Sequence, residues 1–216
     1  DAIIAFFGAP IDQPDSAVRA CRAAIAMKKR EAEINEEFLS ERLTPSPIFT
    51  RIGINTGDMV VGNMGTATRM DYTAMGHNMN LAARLEGVNK KYGTWILASE
   101  QTYRETYNDE NRYFSVRKLD RVRVVGISEP VRLFELIDLR DEVDNDPAMI
   151  EKLRTFNSGL TAFEQTEWDS ALGYFRTVLE RYPEDGPAKY YVERCEKFSR
   201  KAPPRSWDGV FDLKSK

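Results

Sequence analysis

The chain has 216 residues, 42% of them hydrophobic and 30% charged, with 13 Gly and 10 Pro, a balance that fits a folded globular protein and excludes fibrous and disordered classes. Lys and Arg number 31 against 34 Asp and Glu, a net charge of -3, so no global field holds the chain to nucleic acid or to an anionic membrane. The single histidine, His77, rules out a multi-histidine metal site, and Cys21 and Cys195 stand too far apart for a zinc knuckle, a CxxC pair or a disulfide framework.

The opening segment DAIIAFFGAP carries an apolar run over residues 2–7 closed by Gly8-Ala9-Pro10, and reads as a buried strand ending in a turn. It begins so abruptly that residue 1 reads as a cut point. Beyond Pro14-Asp15-Ser16, Val18, Cys21, Ile25, Ala32 and Leu39 recur at helical spacing, which predicts a long amphipathic helix ending before Pro45 and Pro47. From Ile48 the pattern alternates through Ile52 and Ile54, turns at Thr56-Gly57-Asp58 and continues as Met59-Val60-Val61, the signal of a β-hairpin. A short strand from Tyr72 to Met75 stops at Gly76, and residues 78–90 read as a helix with Asn78 as N-cap. Then come a strand over 94–98, a short helix over 100–107, and two strands, 113–125 and 130–139, joined at Gly126. That order describes an α/β or α+β sandwich.

Residues 140–148 are mostly acidic and read as a linker, and everything from 149 to 201 is helical in pattern. Gly159, Ala171, Phe175 and Pro183 follow one another at offsets of 12, 4 and 8, the spacing of one tetratricopeptide-like unit. A third helix over 187–201 would cover its open face, and residues 202–216 read as an extended tail. No apolar run is long enough to span a bilayer, and the first residues lack the basic region of a signal peptide.

Four segments carry the chemistry: DAIIAFFGAP at 1–10, RIGINTGDMVVGNMGT at 51–66, DYTAMGHNMNLAARLE at 71–86 and LDRVRVVGISEPVRLFEL at 119–136. In order and spacing they closely resemble a class III nucleotidyl cyclase catalytic domain, over residues 1–139. The resemblance implies a ferredoxin-like core that dimerises head to tail, with two ATP sites at the interface, each built from both protomers. It also implies a substrate, ATP, and two divalent cations per site, Mg2+ or Mn2+. Asp1 matches a metal-binding Asp, and a carboxylate suits hard cations bridging a triphosphate. Asn80 and Arg84 match the transition-state pair. Four residues apart near a helix start, they share one face where free N–H groups and the dipole already favour an anion. Thr73 matches the base-selecting position, where its hydroxyl can donate or accept.

In two respects the likeness is incomplete. The family's second metal Asp and its adenine-reading Lys lie upstream of the motif that begins here. In the last hairpin, Val125 stands where many relatives carry a phosphate-binding Lys; Arg123, two residues away on the same strand face, is the substitute candidate. The leading expectation is an adenylate cyclase, inactive as the isolated 216 residues, from a parent anchored in the cell membrane with this part on its cytoplasmic side. A guanylate cyclase and a catalytically degenerate module acting in dimerisation or scaffolding are the alternatives; Val125 favours the latter, and Asp1, Thr73, Asn80 and Arg84 oppose it. A diguanylate cyclase is disfavoured because no GGDEF-type signature occurs.

Overall fold

The computed structural model describes residues 2–107, 112–124, 129–204 and 206–213. Its elements are α1 (Ser16–Ser40), β1 (Ile52–Ile54), β2 (Val60–Thr66), β3 (Arg69–Met75), α2 (His77–Tyr92), β4 (Ile96–Ser99), α3 (Glu100–Thr106), β5 (Phe114–Val124), β6 (Val131–Leu139), α4 (Arg140–Asp144), α5 (Pro147–Glu164), α6 (Trp168–Arg181), α7 (Gly186–Arg200) and β7 (Phe211–Leu213). The expected α+β architecture is present. Five strands form one sheet in the order β1-β4-β6-β5-β7, and β2 and β3 form a separate antiparallel ribbon.

Alternation along the central strands sends side chains to both faces of the sheet. On one face Ile54, Ile96, Ala98 and Leu136 pack against Val18, Cys21, Ala24 and Ile25 of α1. On the other, Leu97, Leu119, Val122 and Leu133 meet Leu81, Leu85 and Tyr92 of α2. That second core runs on without a break into Phe156, Phe163, Phe175 and Tyr191 of the C-terminal helices. Gly159 is buried on Phe175, where a Cβ would come within 2.9 Å of the ring, so the small-to-aromatic spacing seen in the sequence is a helix-to-helix contact between α5 and α6.

Charged groups tie the helical unit to the sheet. Arg117 of β5, 2% exposed, donates to Asp185 at 2.8 and 3.0 Å and to Glu135 at 2.7 Å, and Lys152 reaches the same Asp185 at 2.8 Å. Asp120 accepts from Tyr92 at 2.7 Å and pairs with Arg194 of α7. The Arg194 guanidinium lies over Phe211 of the tail and against Tyr191 and Phe163.

Four expectations are corrected. Residues 2–7 form no strand; Ile3 and Ile4 are 87% and 63% exposed, and among the described residues no strand offers them a ladder. The hairpin is β2 with β3, not 52–54 with 59–61: Ile52–Ile54 instead pairs in parallel with β4, Gly53 opposite Leu97. Alternation identifies an extended segment but not its partner. Asn78 does not cap α2: Gly76, at φ 145°, is the N-cap, and His77, exposed, is the first helical residue. The tail is extended as expected over Phe211–Leu213, where it adds β7 in parallel to β5, with Arg123 opposite Asp212. The stretch read as a linker carries α4, with Val143 buried. No helix among the described residues is long and apolar enough to cross a membrane.

Candidate active site

Strand β3 leads through Gly76 directly into α2, which places Thr73 just before the helix that carries Asn80 and Arg84. Thr73 is half-buried and lies opposite Gly62 of β2. A Cβ on Gly62 would meet nothing within 4 Å, so the hydroxyl's cross-strand neighbour leaves open space beside it.

Helix α2 starts without a side-chain cap, and its first turn is open: the Asn80 N–H reaches the Gly76 carbonyl only at 3.4 Å. Asn80 itself is exposed. One turn on, Arg84 is half-buried, and its Nη1 is buried with no hydrogen-bond partner. A surface ion pair between Arg84 and Glu86 is absent among the described residues; a desolvated guanidinium nitrogen without an acceptor is unfavourable unless an anion completes it.

The helix is pressed against the sheet where it matters. Gly53 of β1 lies so close to α2 that a Cβ would fall 2.2 Å from the Ala82 carbonyl oxygen and 2.3 Å from the Glu86 nitrogen. Only glycine permits that approach. Ahead of it, Asn78 Nδ2 donates to the Asp58 carbonyl at 2.8 Å. Asn55 Nδ2 donates to the Asn78 carbonyl and Oδ1 at 3.0 and 3.1 Å. Ser99 Oγ donates to Asn55 Oδ1 at 2.7 Å. The sequence reading missed this network; the signal for it was a polar Asn55 at the end of an apolar strand, immediately before Thr56-Gly57.

Of the five expected site residues, Asn80 and Arg84 share one face and Thr73 stands on the adjoining strand. Arg123 is engaged elsewhere: it donates to Asp208 at 2.7 Å and reaches Asp212 at 3.6 Å. The hydrogen bond from Arg123 holds the Asp208 carboxyl below the usual carboxylate range, and the same contact raises the guanidinium. Asp1 and Val125 lie outside the described residues. Among the described residues no group of three or more His, Cys, Asp or Glu could hold a metal ion, so they do not by themselves form the expected metal centre. A cleft beside β5, α4, α5 and α6, bordered by Arg140, Arg154 and Asn157, contains none of the site residues.

The chain belongs to the adenylate and guanylate cyclase catalytic domain family, whose model matches residues 1–137. The adenylate cyclase, terminal-differentiation specific, of Dictyostelium discoideum is 34% identical over 196 residues, 90% of this chain and 9% of that protein. The chain thus spans about a tenth of that relative, and the likeness continues beyond the family match into the C-terminal helices. The crystal structure of the adenylyl cyclase CyaB from P. aeruginosa is similar at TM-score 0.54 and 35% identity, covering 62% of this chain and 66% of that one. The guanylyl cyclase Cya2 is similar at TM-score 0.51 and 30% identity, with 66% of each chain covered.

Proposed function

We propose that this chain is the catalytic part of an adenylate cyclase that converts ATP to cyclic AMP and pyrophosphate, working as a head-to-tail homodimer with shared sites. The observation that carries the reading is the unpartnered Arg84 Nη1 one turn from Asn80 on α2, in a chain of the cyclase catalytic family. The 3′-oxygen attacks the α-phosphorus as the bond to the β-phosphate breaks, and the hydroxyl proton passes to solvent. Asn80 hydrogen-bonds the ribose and aligns the 3′-oxygen for attack. Arg84 donates to the α-phosphate oxygens as charge builds there, an interaction strongest in the transition state. Thr73 accepts from the adenine amino group. Arg123 contacts the terminal phosphates once it exchanges its carboxylate partners for phosphate oxygens.

Divalent metal, Mg2+ or Mn2+, two per site with Asp1 as one ligand, belongs to the same proposal; when bound it supplies charge neutralisation at the phosphates and ionisation of the 3′-hydroxyl. The helical unit over 149–201, tetratricopeptide-like in its spacing, serves packing and dimerisation, and the parent protein is membrane-anchored with this part in the cytoplasm. The test is cyclic nucleotide formation by the full-length protein with ATP and with GTP. Cyclic AMP as the main product is expected. Cyclic GMP instead would favour guanylate cyclase, which the Thr73 hydroxyl and the likeness to Cya2 keep in view; neither product would leave a dimerising or scaffolding module.

A further inference from the structure

We infer that Asn78 is a positioning residue for the Asn80 and Arg84 pair, an inference that rests on the cyclase reading. A residue two before Asn80 points away from the face that Asn80 and Arg84 share, so Asn78 does not reach the substrate they would hold. Its amide is used up otherwise. It donates to the Asp58 carbonyl at 2.8 Å and accepts from Asn55 Nδ2 at 3.1 Å, while the same Asn55 nitrogen also meets the Asn78 carbonyl at 3.0 Å.

The chain of bonds ends on rigid ground. Asn55 Oδ1 accepts from Ser99 Oγ, and Ser99, 2% exposed, is the N-cap of α3 and accepts from the Thr102 N–H. The loop is laid flat on the amide: a Cβ on Gly57 would come within 2.5 to 2.8 Å of the Asn78 side-chain atoms. Because Gly76 offers α2 no side-chain cap, the first turn is fixed in place from outside, through Asn78. A shift of about 1 Å at a reacting centre costs on the order of 100-fold in rate, so a clamp on this turn acts on turnover through Asn80 and Arg84.

The experiment uses the full-length protein, with kcat and KM for ATP measured for Asn78→Ala alone and in an Arg84→Ala background, and amide hydrogen exchange followed over residues 80–85, whose N–H groups bond back to the first turn. Asn78→Ala should lower kcat roughly 10-fold with KM within about twofold, as expected when preorganisation is lost and ground-state binding is kept. In the Arg84→Ala background it should cost less than about twofold, because the two changes act on one unit. Exchange over residues 80–85, which donate to the carbonyls of that first turn, should quicken while that of α7 stays as it was. An unchanged kcat, an equal loss in both backgrounds, or unaltered exchange would each overturn the inference. Should the alanine variant not fold, Asn78→Asp keeps the acceptor for Asn55 and loses the donor to Asp58, and the same criteria apply to it. A wild-type protein that forms no cyclic nucleotide defeats the functional reading separately, and the exchange comparison then still decides whether Asn78 holds the turn.

Discussion

Arg84 lies one turn beyond Asn80 on α2, and its Nη1 is buried without a partner while Asn80 is exposed beside it. The pair is therefore asymmetric: one donor is already desolvated, and the other is free to turn. Arg84→Ala should lower kcat by roughly 100-fold, the usual scale for removing a preorganised transition-state donor, and should leave folding intact, since the nitrogen it removes satisfies nothing in the protein. Steady-state kinetics with a thermal-unfolding control measures both; an unchanged kcat would take Arg84 out of the site.

Arg123 gives a prediction of the opposite sign. Two tail carboxylates, Asp208 and Asp212, now compete for the guanidinium that the proposed function assigns to the terminal phosphates. The combined change Asp208→Asn and Asp212→Asn should lower KM for ATP severalfold and leave kcat alone, because it frees a group used for binding. A KM that does not move would confine Arg123 to holding the tail.

Much of the fold was legible because the signal and the structure share a period. The recurrence of Val18, Cys21 and Ile25 is the buried face of α1, and Gly159 and Phe175 meet as their spacing implies. Strand partners were not legible: Ile52 and Ile54 announce an extended, half-buried segment equally well beside β4 or beside residues 59–61. Nor was the seam to the helical unit. Arg117 and Asp120 occupy a strand in which charge normally marks the solvent face, and the sequence has no local sign that Asp185 and Arg194, more than sixty residues on, cover them. In the site, Asn80 and Arg84 were singled out by the likeness of their segment to the cyclase motif, their four-residue spacing adding only that they share a helix face, whereas the Asn55 to Asn78 contact depends on the parallel pairing of β1 and β4.

That buried seam predicts how stability depends on pH. Burial works against the Asp185 carboxylate, but Arg117 and Lys152 outweigh it and hold its pKa below the ordinary value of 3.8. A carboxyl with a depressed folded-state pKa contributes stability that is complete above its unfolded value and is lost as pH falls through the folded one. Unfolding should therefore become easier below about pH 4 as the unfolded chain takes up the proton first. Asp185→Asn should cost about 3 kcal/mol at neutral pH, the low end for breaking a buried pair because Glu135 still faces Arg117, and should flatten the acid limb. Denaturant titrations at neutral pH and near pH 3 test it: an equal acid dependence in both proteins would show that Asp185 is not the group that titrates.

Both thiols should be inert. Burial pushes Cys21 and Cys195 each to about 12, so almost no thiolate is present near neutral pH, and both side chains are buried. Alkylation by iodoacetamide should be slow in the native protein and rapid in denaturant. Fast native labelling at either position would mean that the core around it opens.

The proposed sharing of the site between protomers makes the strictest prediction. If Asp1 of one protomer faces Asn80 and Arg84 of its partner, no single chain holds a complete site. Full-length Asp1→Ala and Arg84→Ala proteins should each be nearly inactive alone. Mixed in equal amounts with free exchange of chains, about half of all dimers are mixed, and each mixed dimer has one intact site and one doubly impaired site, so activity should return to about a quarter of wild type. The control places both substitutions in one chain and mixes it with wild type. There every mixed dimer has one impaired component in each site, so activity should fall from about half before exchange to about a quarter after it. Exchange itself is measured separately, by energy transfer between differently labelled chains, because a site contained within one protomer would leave the control at about half. Exchange without rescue of the two single mutants would mean that the residues of one protomer suffice, and the head-to-tail arrangement would be wrong for this protein.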